Sequence, residues 1–428
     1  MQAYTKETER ILDPVVLPQT MHDHSHTSPE NSIRERKIPI LLQNVARPTV
    51  SIPKFDEGTN KERKYWLPAE YKNYGILDEY WALRKHVTIM DLSPLNKFEI
   101  LGPDAEYLLQ MVITKNIKKM SNGQVLYTAI CTHTGGMIDD AMLFKMNEHC
   151  YRLICRSDYT GIWLQEQTQK LKLNRVWIKS VTDQLHNLSI QGPKSRDLLK
   201  SLNIRIPLHR PSIDELELFR FTIGKVSDIV STHEIPLLIS RTGHTNELGF
   251  EIWCHSSNSV KLWNKIWSNG QNPVYNLKPL GLLALNISRT EAGFLPFDYN
   301  FDGQTDAIEA DIGFVMDYTK QEEFIGKQAL IERKDRRQRQ FVGLELHCND
   351  DIENASQGDY VYLENSDQQI GIVISSCKSP ILNKSIALAK IDTEFSGIGN
   401  RVEIRKRDDY EKSIPAMIVK YPFYDPKK

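Results

Sequence analysis

Two stretches of the chain, ninety positions apart by their numbering, repeat one grammar. "FEILGPDAEYLLQMV" and "LSIQGPKSRDLLKSL" each read as a strand, a Gly-Pro turn and a helix. Gly102-Pro103 stands before Leu108-Leu109 at the same spacing as Gly192-Pro193 before Leu198-Leu199. Proline suits the first turn of a helix, where its missing N–H costs nothing. The leucine pair then begins an apolar stripe. The echo predicts two similar βα modules built into one larger unit.

Between the modules, "GQVLYTAICTHTGGMIDDAMLFKM" reads as a β-hairpin turning at Gly135-Gly136. Alternation sends Met137, Asp139, Ala141 and Leu143 to one face, and Ile138, Asp140, Met142 and Phe144 to the other. Asp140 is then the only polar residue on an apolar face. Burying a carboxylate is costly unless it is paired, protonated or needed, and burial should raise its pKa. Asp140 could accept or relay a proton. Glu251, in "GFEIW", could bind a donor-rich heterocycle through its two oxygens. Arg289 and Glu291 are further polar residues in an apolar setting. From spacing alone, a satisfied buried acid at Asp140 and an internal ion pair with an arginine at Glu251 remain the commoner outcomes.

The length of 428 residues allows two or three domains. Prolines and polar residues mark residues 1–57 as an extended N-terminal arm without its own core. Its alternating His22, His24 and His26 have no cysteine or acid cluster beside them, so a solvated loop is expected and no metal site. Residues 58–337 read as an α+β unit of two similar subdomains, closing on the basic run "ERKDRRQRQ", expected as a solvated linker. Residues 338–428 read as an antiparallel β-barrel domain of short strands.

A net charge of −1 gives no reason to expect nucleic acid or a membrane surface as partner. No apolar run approaches the roughly 18 residues of a membrane span, and no secretory pattern opens the chain. The six cysteines contain no C-x-x-C pair and are expected as reduced thiols. Together these features predict a cytoplasmic protein. Nucleotide cradles, H-E-x-x-H and G-x-S-x-G are absent from the sequence. Cys131 and His133 in "CTH" are close only in order, which does not make a catalytic pair.

Taken in order, eight segments resemble the aminomethyltransferase (glycine-cleavage T-protein) family of tetrahydrofolate-dependent enzymes. They are "WLPAEY", "TIMDLSPLNKFEILGPDAE", "GGMIDD", "NLSIQGPKS", "GFEI", "SRTEAGF", "DIGFVMD…EEFIGKQAL" and "SSCKSPILNKSIALAKI". The resemblance covers roughly residues 65 to 424. It implies a three-part GcvT-type cloverleaf around a central folate channel, with the β-barrel at its C-terminus. It also implies Asp140 as the catalytic acid group near the folate N5 and N10 nitrogens, and Glu251 as the residue that binds the pterin ring. Arg289, Phe144 and Tyr127 fall at further cofactor-binding positions.

The chain departs from the family pattern where folate and the incoming one-carbon group would meet. "RTGHTNELG" places Arg241 where the family has tyrosine, "DLSPL" loses a histidine and a methionine, and "FLPFDYNFD" brings in Tyr299. Arg241 and Tyr299 are therefore candidate substrate residues, although Arg241 could equally pair with Glu247. The "DLSPLNKFEI" segment is similar to the folate domains of dimethylglycine and sarcosine dehydrogenases, as in a divergent paralogue. The implied function is one-carbon transfer to tetrahydrofolate. The donor is a small methylated amine, sulfonium or ether (a demethylase), or a lipoyl carrier protein (an aminomethyltransferase). The other reading is a non-catalytic folate-binding assembly or repair factor of the same fold, disfavoured by the retained Asp140.

Overall fold

The computed structural model describes residues 49–56, 61–227, 234–295, 303–347, 354–407 and 412–426. The three arm histidines and Tyr299 lie outside the described residues. Strand β1 (Thr49–Asp56), within the stretch read as an arm, pairs antiparallel with β2 (Lys61–Pro68). Helix α1 (Ile76–Lys85) and β3 (Thr88–Asp91) lead into the first module.

That module runs β4 (Asn96–Leu101), α2 (Ala105–Val112), β5 (Val125–Cys131), β6 (Met137–Asn147), β7 (Cys150–Cys155), α3 (Tyr159–Lys170) and β8 (Trp177–Ser180). The second runs β9 (Leu185–Gln191), α4 (Ser195–Ser201), β10 (Phe221–Ser227), β11 (Glu234–Ser240), β12 (Gly249–His255), α5 (Ser259–Gly270) and β13 (Lys278–Pro279). Their sheets are ordered β5-β6-β7-β4-β8 and β10-β11-β12-β9-β3-β13. The first four strands follow the same order in both, so the Gly-Pro echo marks a repeat of topology.

The two turns are also alike in their chemistry. Gly102 and Gly192 have φ of 109° and 124°. A Cβ would stand 2.3 Å from the Arg175 carbonyl oxygen at the first and 2.5 Å from that of His86 at the second. Only glycine permits both the conformation and the approach. Each of those carbonyls accepts a bond from the residue two further on, Asp104 at 3.2 Å and Lys194 at 2.9 Å.

Each sheet buries one face under its own helices. Leu108, Leu109 and Leu164 cover the first sheet, and Leu198, Leu262 and Ile266 the second. The opposite faces meet each other. Phe144 of β6 packs against Phe221 of β10 and Trp253 of β12, with ring centroids 5.7 and 5.8 Å apart. Helix α6 (Leu282–Glu291) then crosses to the C-terminal part. The run expected as a linker instead spans the end of helix α7 (Lys327–Asp335) and the start of β14 (Arg339–Leu346). Its arginines grip a neighbouring turn: Arg333 donates to the Gln304 carbonyl at 2.6 Å and Arg337 to that of Ile308 at 3.1 Å. Local charge density could not reveal those carbonyl partners.

With β14 begins a closed antiparallel barrel, completed by β15 (Tyr360–Leu363), β16 (Gln369–Ser379), β17 (Lys384–Asp392), β18 (Arg401–Arg405) and β19 (Ser413–Val419). Closure leaves no free sheet edge. The five described cysteines are free and buried, as a reduced chain requires. Among the described residues no helix is long and apolar enough to cross a membrane.

One buried charge cluster joins these parts. Glu291, fully buried at the end of α6, forms an ion pair with Arg84 of α1. It also accepts from Tyr80 Oη at 2.9 Å and from Ser379 Oγ of the barrel. Arg84 reaches Glu247 in the second module at 2.6 Å. The Glu291 backbone carbonyl accepts from the amides of Phe423 and Tyr424 at 2.8 and 3.0 Å. An acid at a helix C-terminus faces an unfavourable dipole, so the Arg84 charge and these donors are what hold it. Glu291→Gln should cost about 3 kcal/mol, as expected for breaking a buried pair. Urea denaturation is the check; an unchanged midpoint would mean the pair contributes nothing net.

Candidate functional site

A cavity of about 1220 Å³ opens where the two modules and the barrel meet. Its first wall is the hairpin. The strands pair Ala129 with Asp140 and Tyr127 with Met142, so Tyr127 and Asp140 are diagonal neighbours on one face. Tyr127 Oη donates to Asp140 Oδ2 at 2.6 Å, and Arg156 Nη2 donates to Asp140 Oδ1.

The alternation holds, but Asp140, the acid read as costly to bury, is the less buried of the two. Asp139 is 1% exposed, whereas the Asp140 side chain keeps 16% and lines the cavity. The Asp139 face packs on the helices with Ala141 and Leu143. Both faces of β6 are covered, one by protein and the other by the cavity, and a two-residue period cannot tell these covers apart.

Their chemistry differs accordingly. Asp139 Oδ2 accepts from the amides of Arg156 (3.2 Å) and Ser157 (2.9 Å) and from Thr160 Oγ1 (2.8 Å). Burial still pushes its pKa up to about 6. At Asp140 burial acts in the same direction, but the Arg156 charge and the bonds from Tyr127 and Arg156 outweigh it. Its pKa is lowered rather than raised, and Asp140 is a carboxylate anion at neutral pH. Asp139 thus fixes the turn after β7 that aims Arg156, and Arg156 holds Asp140 ionised.

The second module supplies another wall. Glu251 is 9% exposed and lines the cavity. It accepts from Thr242 Oγ1 at 2.5 Å and from Asn187 Nδ2 at 3.4 Å, and burial raises its pKa. Its hydrogen-bond partners among the described residues are neutral donors, not the arginine that sequence spacing left open. Phe144 lines the floor. Arg241 lines the cavity too, and its guanidinium donates to the Leu216 carbonyl at 3.3 Å, while Glu247 is the partner of Arg84. Arg289 stands behind the lining. It donates to Asn286 Oδ1 at 2.7 Å and to the Phe294 carbonyl at 3.2 Å, supporting the segment that carries Phe294.

Sequence reasoning missed Arg156 and His244. Arg156 had a signal: β7 pairs with β6 through Cys155 and Ala141, so the next residue falls beside Asp140. His244 had none, since its ring meets Phe294 at 5.3 Å and the Leu295 carbonyl at 3.1 Å, with β12, α5, β13 and α6 between them in sequence. Because that carbonyl can only accept, His244 Nε2 carries the hydrogen. Burial, and then the charge of Arg289, lower its pKa to about 4 against the opposing Leu295 bond. No group of acids, histidines and cysteines among the described residues has a metal-binding arrangement.

Comparison with known proteins matches residues 58–320 to the GCVT N-terminal domain and 339–425 to the glycine cleavage T-protein C-terminal barrel domain. The chain is 42% identical over 376 residues to a trimethylamine-oxide aldolase of Ruegeria pomeroyi, covering 88% of this chain but 46% of that protein. It is 32% identical to an aminomethyltransferase of Caldanaerobacter subterraneus, covering 84% of this chain and 90% of the relative. The crystal structure of the glycine cleavage system aminomethyltransferase T from Bartonella henselae shares the fold, with a TM-score of 0.70 at 21% identity over 87% of this chain and 95% of that one.

The His244 shift sets a pH dependence. The folded protein keeps His244 neutral down to about pH 4, while the unfolded chain takes up a proton below its ordinary 6.5. The stability involved is present above pH 6.5 and lost as pH falls towards 4. His244→Gln should flatten the fall of the thermal midpoint across that window by the equivalent of up to about 3 kcal/mol. An equally steep fall in the variant would place the acid sensitivity elsewhere.

Proposed function

Because the chain belongs to the glycine-cleavage T-protein family, we propose that it is a tetrahydrofolate-dependent one-carbon transferase. In this reading it moves a methyl or methylene group from a small methylated donor to folate N5. The observation that carries it is the carboxylate of Asp140, held ionised by Arg156 and Tyr127 on a cavity wall. Such an arrangement serves no structural need that Asp139 does not already meet.

The residues fit the cofactor. Glu251 lines the cavity, and Asn187, which donates to it from behind the lining, has a buried Oδ1 with no partner among the described residues. The Glu251 carboxylate suits the amino and ring N–H donors of a pterin. The volume exceeds the roughly 300–1,000 Å³ of ordinary ligand sites, leaving room for a donor beside the cofactor. Glu251, oriented by Thr242, would hold the ring, and Phe144 and Tyr127 would bound it. Tetrahydrofolate would supply the N5 amine that takes up the one-carbon unit.

Asp140 then has two tasks. Its charge, on the cavity wall, favours a cationic centre on the donor. Among the described residues its Oδ2 receives only the neutral Tyr127 phenol, so Oδ2, rather than the Arg156-bound Oδ1, is the oxygen suited to accepting a proton. A small N-methyl donor is supported by the trimethylamine-oxide aldolase relative. Lipoyl-bound aminomethyl transfer is supported by the aminomethyltransferase relatives. The chain spans 46% of the first of these relatives, so that protein's activity is not carried over whole.

Saturating tetrahydrofolate should raise the thermal midpoint by mass action, about 2.7 kcal/mol of stabilisation at one hundred times the dissociation constant. No shift would sink the folate reading. Asp140→Asn should retain folate binding and lose roughly 10²–10⁴-fold in turnover. A screen of methylated donors that resolves 5-methyl from 5,10-methylene product is the assay; undiminished turnover would remove Asp140 from the chemistry.

A further inference from the structure

At one end of the cavity lining, Arg196 and Arg241 stand together without a carboxylate partner. Arg196 donates to the Asp214 carbonyl and Arg241 to that of Leu216, two residues on. Neither forms an ion pair among the described residues. The like charge of Arg196, after burial, lowers the proton affinity of Arg241, with Glu217 acting weakly against it. Two guanidinium groups that share one loop and spend only part of their donors on neutral carbonyls are an incomplete arrangement.

The same loop exposes an apolar ledge. Leu218 and Phe219 line the cavity yet are 51% and 40% exposed. Phe219 has φ of 57°, an uncommon conformation for a bulky residue. It is pinned there by its amide on the Arg241 carbonyl at 3.0 Å and by the Val125 amide on its own carbonyl at 2.8 Å. Backbone strain of this kind persists only where the surroundings over-determine it. An aromatic ledge beside two cations that have no carboxylate in an ion pair among the described residues is matched by a ligand whose aromatic stem ends in carboxylates.

We propose that Arg196 and Arg241 form a carboxylate clamp for the glutamyl tail of a reduced folate, with Leu218 and Phe219 supporting the aryl stem. This rests on the folate reading above and assigns that site its outer end. A carboxylate on the one-carbon donor shares the chemistry, but the adjoining apolar ledge favours an aryl-linked one.

The test is calorimetric binding of three probes to the full chain: tetrahydrofolate, its triglutamate, and tetrahydropteroate, which lacks the glutamate. The clamp requires tetrahydropteroate to bind about tenfold more weakly than tetrahydrofolate, the scale of one charge-assisted hydrogen bond. The triglutamate should bind most tightly, with the steepest salt dependence. Arg241→Gln and, separately, Arg196→Gln should each shrink the tail-dependent gap and leave tetrahydropteroate affinity unchanged. Arg241→Lys should restore part of it. Equal binding of all three probes to the unaltered chain overturns the clamp alone, while failure of all three overturns the folate reading with it. A gap that persists in both variants, or a loss shared by tetrahydropteroate, also overturns the clamp. Variants that leave folate gaps untouched but weaken a carboxylated donor would transfer the pair to the donor, against the proposal.

Discussion

The buried pair of Arg84 and Glu291 is the interaction on which the three-part arrangement depends. Neither side chain belongs to the cavity chemistry, yet between them they contact α1, the loop of the second module, α6, the barrel and the final segment. A cavity formed between three bodies has walls only as well placed as the joints between those bodies. Apolar packing supplies contact without direction, whereas an ion pair with fixed hydrogen-bond partners sets an orientation. Desolvating these charges is costly. Here the cost is met by full satisfaction: each oxygen of Glu291 has at least one donor, and Arg84 is shared between two acids.

Within that frame the hairpin separates two neighbouring aspartates by a single backbone step. Asp139 points into the first module and is consumed by a turn; Asp140 points into the cavity and is held as an anion. One arginine serves both. Its amide is ordered by Asp139 and its guanidinium neutralises the desolvation cost of Asp140. A doubled acid at this spacing therefore gives one carboxylate held inside a turn and one on a cavity wall, with the difference set by which face of the strand each occupies.

Much of this was legible beforehand. The Gly-Pro echo predicted the repeated modules because a glycine with left-handed φ against a carbonyl has no substitute. The hairpin and the barrel strands followed from period and composition. Glu251 and Tyr127 were placed by resemblance, and both line the cavity. Arg289, placed the same way, lies behind the lining instead, because a helix end is shared between packing and site. The basic run read as a linker because its carbonyl partners come from a segment about thirty residues earlier.

What the sequence alone determined is local: the turns that only glycine can make, the alternation along β6, and the pairing of acids and apolar residues on each strand. The tertiary structure decided what covers each face. It put helices over Asp139 and a cavity over Asp140, brought Arg156 across from the next strand, and set His244 against a carbonyl more than fifty residues away. The physical reason is that an acid's protonation depends on solvent access and neighbouring charge. Both are properties of distance in space, which residue order does not carry.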